Sequence, residues 1–373
     1  MTDYEGPVSI QDNELEELIG LLNLVFRPHG GDMGENYPRH VGANNLENIR
    51  VIKTGGRIMS HVAASVRAVT LGGIATKEAG IGAVATHPDA RGKGFASILM
   101  IDAVARSVQQ GADIMLISGD LGVYRRMNAV DCGVFPCFRL ERDDLTITSD
   151  FWLEPVNRRN LVDAIALLES ASVRYLLPYE DLEALLKSRF VMDKPCDLWI
   201  VRRGGEAVGF GAIHHKGSEL AILDWAGHPD ALQAGAWLWF NEYKAERLTY
   251  IPPSVFMAPL AWRPFIRERR CFDGTVLVIN AQRFLERARD FLTVRLGEVA
   301  MKSLRIEAGE QWARFQLGEN AVEFANGGEL ALLFFGYPTK DILAERIPQK
   351  NELYHLLHQA FPVPLVWYGI GYV

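Results

Sequence analysis

Cysteine is scarce and unpatterned in this 373-residue sequence. The four residues, Cys132, Cys137, Cys196 and Cys271, include no CxxC pair, which excludes the usual zinc-ribbon and dithiol arrangements. With no activating base legible beside them they read as buried or free thiols. Long apolar runs are also missing, since none reaches the roughly eighteen residues that a spanning helix needs. The opening MTDYEGPVSIQDNELEEL lacks the basic and apolar regions of a secretory signal. The expectation is a soluble, cytoplasmic chain with no membrane partner. Positive charge is not in excess either: 39 Lys and Arg stand against 46 Asp and Glu, for a net charge of −7. That argues against a nucleic-acid partner, which normally meets a basic face. The one dense basic cluster, Arg263, Arg267, Arg269 and Arg270, is interrupted by Glu268 and reads as a solvated face. Metal spacing is absent as well. His214 and His215 are strand neighbours facing opposite ways, and His355 and His358 share a helix face without a third ligand, so no metal is assigned.

What is present is a hydrophobic content of 49%, enough for sizeable cores, in a chain long enough for two or three domains. The most informative stretch is Ile81 to Arg106, IGAVATHPDARGKGFASILMIDAVAR. Ile81 to Thr86 is β-competent, His87-Pro88 begins a turn, and Ser97 to Arg106 has helical spacing of apolar residues. Between strand and helix, Arg91-Gly92-Lys93-Gly94-Phe95-Ala96 is small and basic. There the backbone can approach a ligand and the free N–H groups of a helix start can hold a pyrophosphate.

Three phosphate-binding loops compete for this stretch. A P-loop ending in Gly92-Lys93 would need Gly at His87 and Ser or Thr at Gly94. A Rossmann turn would begin at the strand end, where His87 to Arg91 intervene, and Asp113 opens the next strand instead of closing it. The third is a coenzyme A loop of pattern Arg or Gln, two residues, Gly, one residue, then Gly or Ala. Arg91, Gly94 and Ala96 fit it. A strand at Ile114 to Ser118 follows the helix, then a Gly-containing turn and Tyr124-Arg125-Arg126-Met127-Asn128-Ala129. In this order the stretch resembles the GCN5-related N-acetyltransferases (GNAT), in which a tyrosine begins a short helix.

Elsewhere, Asp12 precedes a helix with Leu15, Leu18, Ile19, Leu22 and Val25 on one face. Ile49 to Lys53, Ile58 to Leu71 and Ala79 to Thr86 read as antiparallel strands. His61, mid-strand, reads as a packed histidine. Asp32 and Glu35 lie in a loop that borders the acceptor cleft in the family, although solvent exposure explains them as well. From Phe151 the order of elements repeats: strand, helices at Arg159 to Ser170 and Glu180 to Phe190, strands at Leu198 to Arg202, Ala207 to His214 and Leu220 to Ala226, a second His-Pro-Asp at 228 to 230, and a helix. Here Ala231 to Ala236 replaces the glycine loop, so the second copy lacks the backbone cradle. The tail reads as a helix at Ala281 to Leu292, strands at Leu304 to Glu307, Trp312 to Leu317, Ala321 to Ala325 and Glu329 to Phe335, then a helix at Lys350 to Phe361.

Three such parts resemble the Eis-type (enhanced intracellular survival) acetyltransferases. The resemblance implies an α/β (α+β) chain of tandem GNAT-like mixed-sheet domains, at 1–148 and, in degenerate form, 149–280. A smaller α+β unit like a sterol carrier protein follows at 281–373. It implies an acetyl-CoA-dependent N-acetyltransferase that acts on the amine of a small molecule or peptide, and it leaves room for a homo-oligomer. Val84, Ala85 and Thr86 would lie along the pantetheine, and Arg91, Gly92, Lys93, Gly94, Phe95, Ala96 and Ser97 around the pyrophosphate. Ser118 and Gly119 would flank the thioester arm. Tyr124 would be the general acid, and the terminal carboxylate of Val373 the base. The competing reading is a non-catalytic acyl-CoA or lipid-binding regulator that kept the loop; Tyr124 after an intact loop favours the enzyme.

Overall fold

The computed structural model describes residues 4–145, 150–178, 181 and 188–372. The chain opens with β1 (Glu5–Ser9), α1 (Leu15–Phe26), the short α2 (Met33–Asn36), β2 (Ile49–Thr54), β3 (Arg57–Leu71) and β4 (Ile74–Thr86). These strands pair antiparallel in sequence order, as short connections require. The helix α3 (Phe95–Gln109) then crosses over to β5 (Ile114–Ile117), which lies parallel to β4. On α1, Leu18, Leu21 and Leu22 are buried, and on α3 Phe95, Leu99, Met100 and Ala103, so each helix lays one apolar stripe on the sheet.

After the short α4 (Gly122–Arg125) the chain leaves this sheet. β6 (Phe135–Glu141) pairs inside a second seven-stranded sheet. That sheet also takes β7 (Phe151–Pro155), and after α5 (Leu161–Ser170) the chain returns β8 (Val173–Tyr175) to the far end of β3. A small hairpin of β9 (Phe190–Val191) and β10 (Lys194–Pro195) precedes β11 (Asp197–Arg203), β12 (Glu206–Lys216) and β13 (Glu219–Gly227). A helix, α6 (Pro229–Glu242), crosses to β14 (Arg247–Tyr250), parallel to β13; β15 (Ile266–Arg270) closes the second sheet and β16 (Thr275–Val278) pairs with β5 of the first. The two sheets thus exchange strands. Segment 1–148 gives β6 to the second sheet, and segment 149–280 gives β8 and β16 to the first. Each copy keeps a crossover helix between two parallel strands, the repeat expected from the order of elements.

The last part holds α7 (Ala281–Arg287), α8 (Arg289–Leu296) and α9 (Glu298–Ser303), then an antiparallel sheet of β17 (Leu304–Ala308), β18 (Ala313–Leu317) and β19 (Asn320–Phe324). Two helices follow, α10 (Gly327–Phe335) and α11 (Glu352–Ala360). The strand expected at Glu329 to Phe335 is therefore a helix. Its run ELALLFF is buried on nearly every side, and a continuous apolar run carries no period to separate helix from strand. The overlooked signal is Asn326, whose side chain accepts from the N–H groups of Gly328 and Glu329 as an N-cap. The expected helix at Glu180 to Phe190 lies almost wholly outside the described residues. Among those described, no helix is long and apolar enough to cross a membrane.

Candidate active site

The site forms where β4 and β5 part. Their parallel pairing ends at Ile81↔Ile117. Ser118 then donates both its N–H and its Oγ–H to the Ile81 carbonyl, each at 3.2 Å. β4 runs on to Thr86 alone on that edge, while β5 gives way to Gly119. A bulge accompanies the parting: His61 pairs with Ala85 but Ala63 with Gly82, so Ala83 and Val84 stand opposite one residue, with Ala83 at φ 53°. Bulges re-aim backbone groups near sites. His61 holds this one. Its Nδ1 is 2.9 Å from the Ala83 carbonyl, which only accepts, so Nδ1 carries the proton. Burial pushes the imidazole down to about 4, and His61 is neutral and packed, as its mid-strand place suggested.

Beyond Thr86, the His87 ring accepts from Asp89 N–H across a short turn, and Arg91 to Gly94 are exposed. Gly92 and Gly94 have φ of 77° and 80°, and a Cβ on either would meet nothing. The glycines thus serve the path of the backbone, not packing. Gly94 leads directly into α3, whose first turn has no side-chain cap. Its N–H groups are left for an anion.

On the other side of the parting stands Tyr124, 3% exposed. Burial pushes its phenol up to about 12, so it carries its proton at neutral pH. Its ring would lie 3.2 Å from a Cβ on Gly119, and the missing side chain there lets the tyrosine sit against the end of β5.

The C-terminal segment enters the same space. Leu365, Val366, Tyr368, Ile370, Gly371 and Tyr372 are buried. The Tyr372 hydroxyl donates to the Ile81 carbonyl at 3.3 Å, the atom at which β4 and β5 separate. Burial raises the Tyr372 phenol, Arg67 opposes the rise, and Tyr124 is close enough to add to it. Tyr368 donates to the Asp273 carbonyl. The Ile370 N–H donates to Asp224 Oδ2 at 3.0 Å, so a carboxylate of the second sheet also holds the segment. Val373 lies outside the described residues.

The structure therefore brings together Val84 to Thr86, Ser118, Gly119, Tyr124 and the segment ending at Tyr372. Asp32 is engaged elsewhere, as the N-cap of α2, accepting from Gly34 N–H at 2.7 Å and Glu35 N–H at 3.1 Å. Cys132 is buried with its thiol pushed well up, and burial holds Cys196 at about 12 and Cys271 at about 11, which leaves them no thiolate at neutral pH. Among the described residues no group of three His, Cys, Asp or Glu side chains could hold a metal ion.

In the second unit His228 repeats the turn of His87, accepting from Asp230 N–H, but Pro229 starts α6 at once. Ala231, Leu232, Ala234, Gly235 and Ala236 are buried in that helix, so no open loop remains. Trp225 and Trp239 cover Gly209 and Gly211 of β12, where a Cβ would collide with the indoles.

Sequence reasoning missed Arg67, Glu78 and His40, all buried, and the partly buried Asp224, which lie around the C-terminal segment. A charged residue inside an otherwise apolar strand was the available signal for three of them. Asp224 also titrates unusually. Burial raises it from 3.8 to about 6 against the N–H donors of Ile370 and Trp225. The folded state thus binds a proton more tightly than the unfolded chain, and Asp224's share of stability, full below pH 4 or so, is lost as pH rises towards about 6. That gap corresponds to about 3 kcal/mol. Asp224→Asn keeps an acceptor for Ile370 and should remove the dependence. Melting curves should show the variant gaining on the wild type between pH 4 and pH 7; a constant difference would refute the assignment.

The sequence model of the acetyltransferase (GNAT) domain matches residues 8–130. No curated protein matches the chain. Among solved structures, the chain is similar over nearly all its length to a probable N-acyltransferase of unknown function from Enterococcus faecalis. The TM-score is 0.69 at 14% identity, covering 98% of this chain and 99% of that one. A GCN5-related N-acetyltransferase from Kribbella flavida gives 0.67 at 14% identity, with 98% and 99% covered. Eis1 from Mycobacterium abscessus gives 0.62 at 11% identity, again with 98% and 99% covered. At these identities the likeness is one of fold, and it spans both sheets and the C-terminal part.

Proposed function

We propose that the protein, whose residues 8–130 match the sequence model of the GNAT acetyltransferase domain, is an acetyl-CoA-dependent N-acetyltransferase that acylates an amine. The observation that carries the reading is the parting of β4 and β5, with an uncapped helix start at one end and a buried, protonated Tyr124 at the other. Arg91 to Ser97 hold the pyrophosphate on backbone N–H groups, with Arg91 and Lys93 adding charge. Val84 to Thr86 run along the pantetheine, and N–H groups at the bulge polarise the thioester carbonyl. Ser118 and Gly119 flank the acyl arm.

A primary amine is protonated at neutral pH and must lose a proton before it attacks; the departing thiolate must gain one. Tyr124 supplies the second proton. The carboxylate of Val373 accepts the first, directly or through water, and the burial of the preceding residues supports this role. Holding both reactants together supplies much of the remaining acceleration.

Screening amines for thiol release from acetyl-CoA tests the activity, and absence of turnover with every amine class would leave only a binding protein. Calorimetry should give one acetyl-CoA per chain, because the second unit has α6 where the loop would be. Tyr124→Phe should lower kcat by about 100-fold with little change in cofactor affinity. An unchanged kcat in the folded variant would remove the tyrosine from the mechanism.

A further inference from the structure

Arg67 and Glu78 are cross-strand partners on β3 and β4, and both side chains are buried, at 2% and 0% exposure. Arg67 Nε lies 2.8 Å from Glu78 Oε1. Its Nη1 donates to the carbonyl of Gly371, which is 304 residues away in sequence. The guanidinium also lies against two aromatic rings, Tyr175 at 5.1 Å and Tyr372 at 5.0 Å. Gly80 leaves the space this needs, because a Cβ there would collide with Arg67 Nη2. Arg39, paired with Asp181 at 2.6 Å, reaches the same Gly371 carbonyl at 3.5 Å. Burial and the neighbouring Arg67 and Arg39 keep the His40 ring neutral, and it packs against Tyr372, 5.8 Å between centroids.

An apolar pair of similar volume would hold two strands together as well as a buried ion pair does, because removing two charges from water offsets most of their attraction. What an apolar pair lacks is a directed donor. The donor here is spent on the backbone of the C-terminal segment, one residue before the tyrosine that reaches the Ile81 carbonyl.

We propose that Arg67, oriented by Glu78, is a positioning residue that fixes Gly371 and Tyr372 in the cleft, and with them the group that follows Tyr372. Its effect on turnover rests on the reading of the Val373 carboxylate as base; its effect on the segment does not. The test therefore has two readouts. Arg67→Met with Glu78→Met removes both charges without leaving either unpaired. Hydrogen exchange of the 366–373 peptide should become at least 10-fold faster, while peptides from β3 and β4 stay protected. kcat should fall at least 10-fold with KM for acetyl-CoA within twofold. In a protein extended by three residues after Val373, the same substitutions should lower kcat no further. Arg67→Lys, which keeps a charge facing Glu78 but loses the fork, should loosen the segment in the same direction and covers a folding failure of the double variant.

Unchanged exchange of the segment in a folded variant overturns the proposal, whatever the activity does. An equal further loss of kcat in the extended protein also overturns it, since Arg67 would then act other than through the segment. Faster exchange with unchanged kcat supports the positioning and overturns the catalytic reading of the terminal carboxylate.

Discussion

Gly94→Glu is expected to abolish acetyl-CoA binding while leaving the fold intact. Gly94 precedes the first turn of α3 at φ 80°, a conformation that costs a residue with a β carbon about 1–2 kcal/mol. No atom lies within 4 Å of that β carbon, so strain is the only penalty and nothing has to move. The glutamate carboxylate, however, reaches the same uncapped N–H groups that the pyrophosphate would use, and it is itself favoured there. Binding then has to displace an internal anion and accept repulsion besides. Losing two charge-assisted hydrogen bonds at about 1.5–3 kcal/mol each corresponds to 100-fold or more. Gly94→Ala separates the terms, since it carries the strain without the charge and should weaken binding only modestly. Calorimetry on the two variants, with melting curves as the control for folding, decides the matter. Undiminished affinity in Gly94→Glu would move the cofactor away from this loop.

That loop was legible because its determinants are local. The strand, the His-Pro turn, two glycines and an apolar-periodic helix lie within 26 residues, and backbone conformation follows from neighbours at that range. The second unit's lack of a cradle was legible for the same reason. The exchange of β6, β8 and β16 between the sheets was not, because pairing partners far apart in sequence leave no local mark: β16 reaches β5 across more than 150 residues. The ring of Arg67, Glu78, His40 and Asp224 is likewise built from four separate stretches. Each of them reads singly as a charge or a histidine with no special company. The one local mark of this cluster is the stretch VPLVWYGIGYV at 363–373, which is too apolar for a solvated tail and so requires a partner to bury it.

The group that follows Tyr372 leads to the second large effect. Converting the terminal carboxylate of the 373-residue chain to an amide by protein ligation is expected to lower kcat at least 100-fold and to leave acetyl-CoA affinity unchanged. Deleting Tyr372 and Val373 is the simpler variant but confounds two effects. Tyr372 is 1% exposed and packs against Tyr368 at 4.6 Å, and emptying an aromatic site in a core costs about 3–5 kcal/mol. The amide leaves that packing alone and removes only a charge. A carboxylate at a chain end ionises near pH 3.5 when unperturbed, so in the proposed mechanism it is charged at neutral pH and takes the proton of an ammonium held beside the thioester. Once it is an amide, the amine must deprotonate into bulk water, and the fraction already neutral limits the rate. Raising the pH then rescues the amide form: its kcat should climb about tenfold per pH unit below the amine's own pKa, while the carboxylate form rises less steeply. Extending the chain past Val373 should reproduce the loss, because the carboxylate would move out of reach. Full turnover from the amide would end the catalytic reading of the terminus, and the buried residues before it would then serve only to close the cleft between the two sheets.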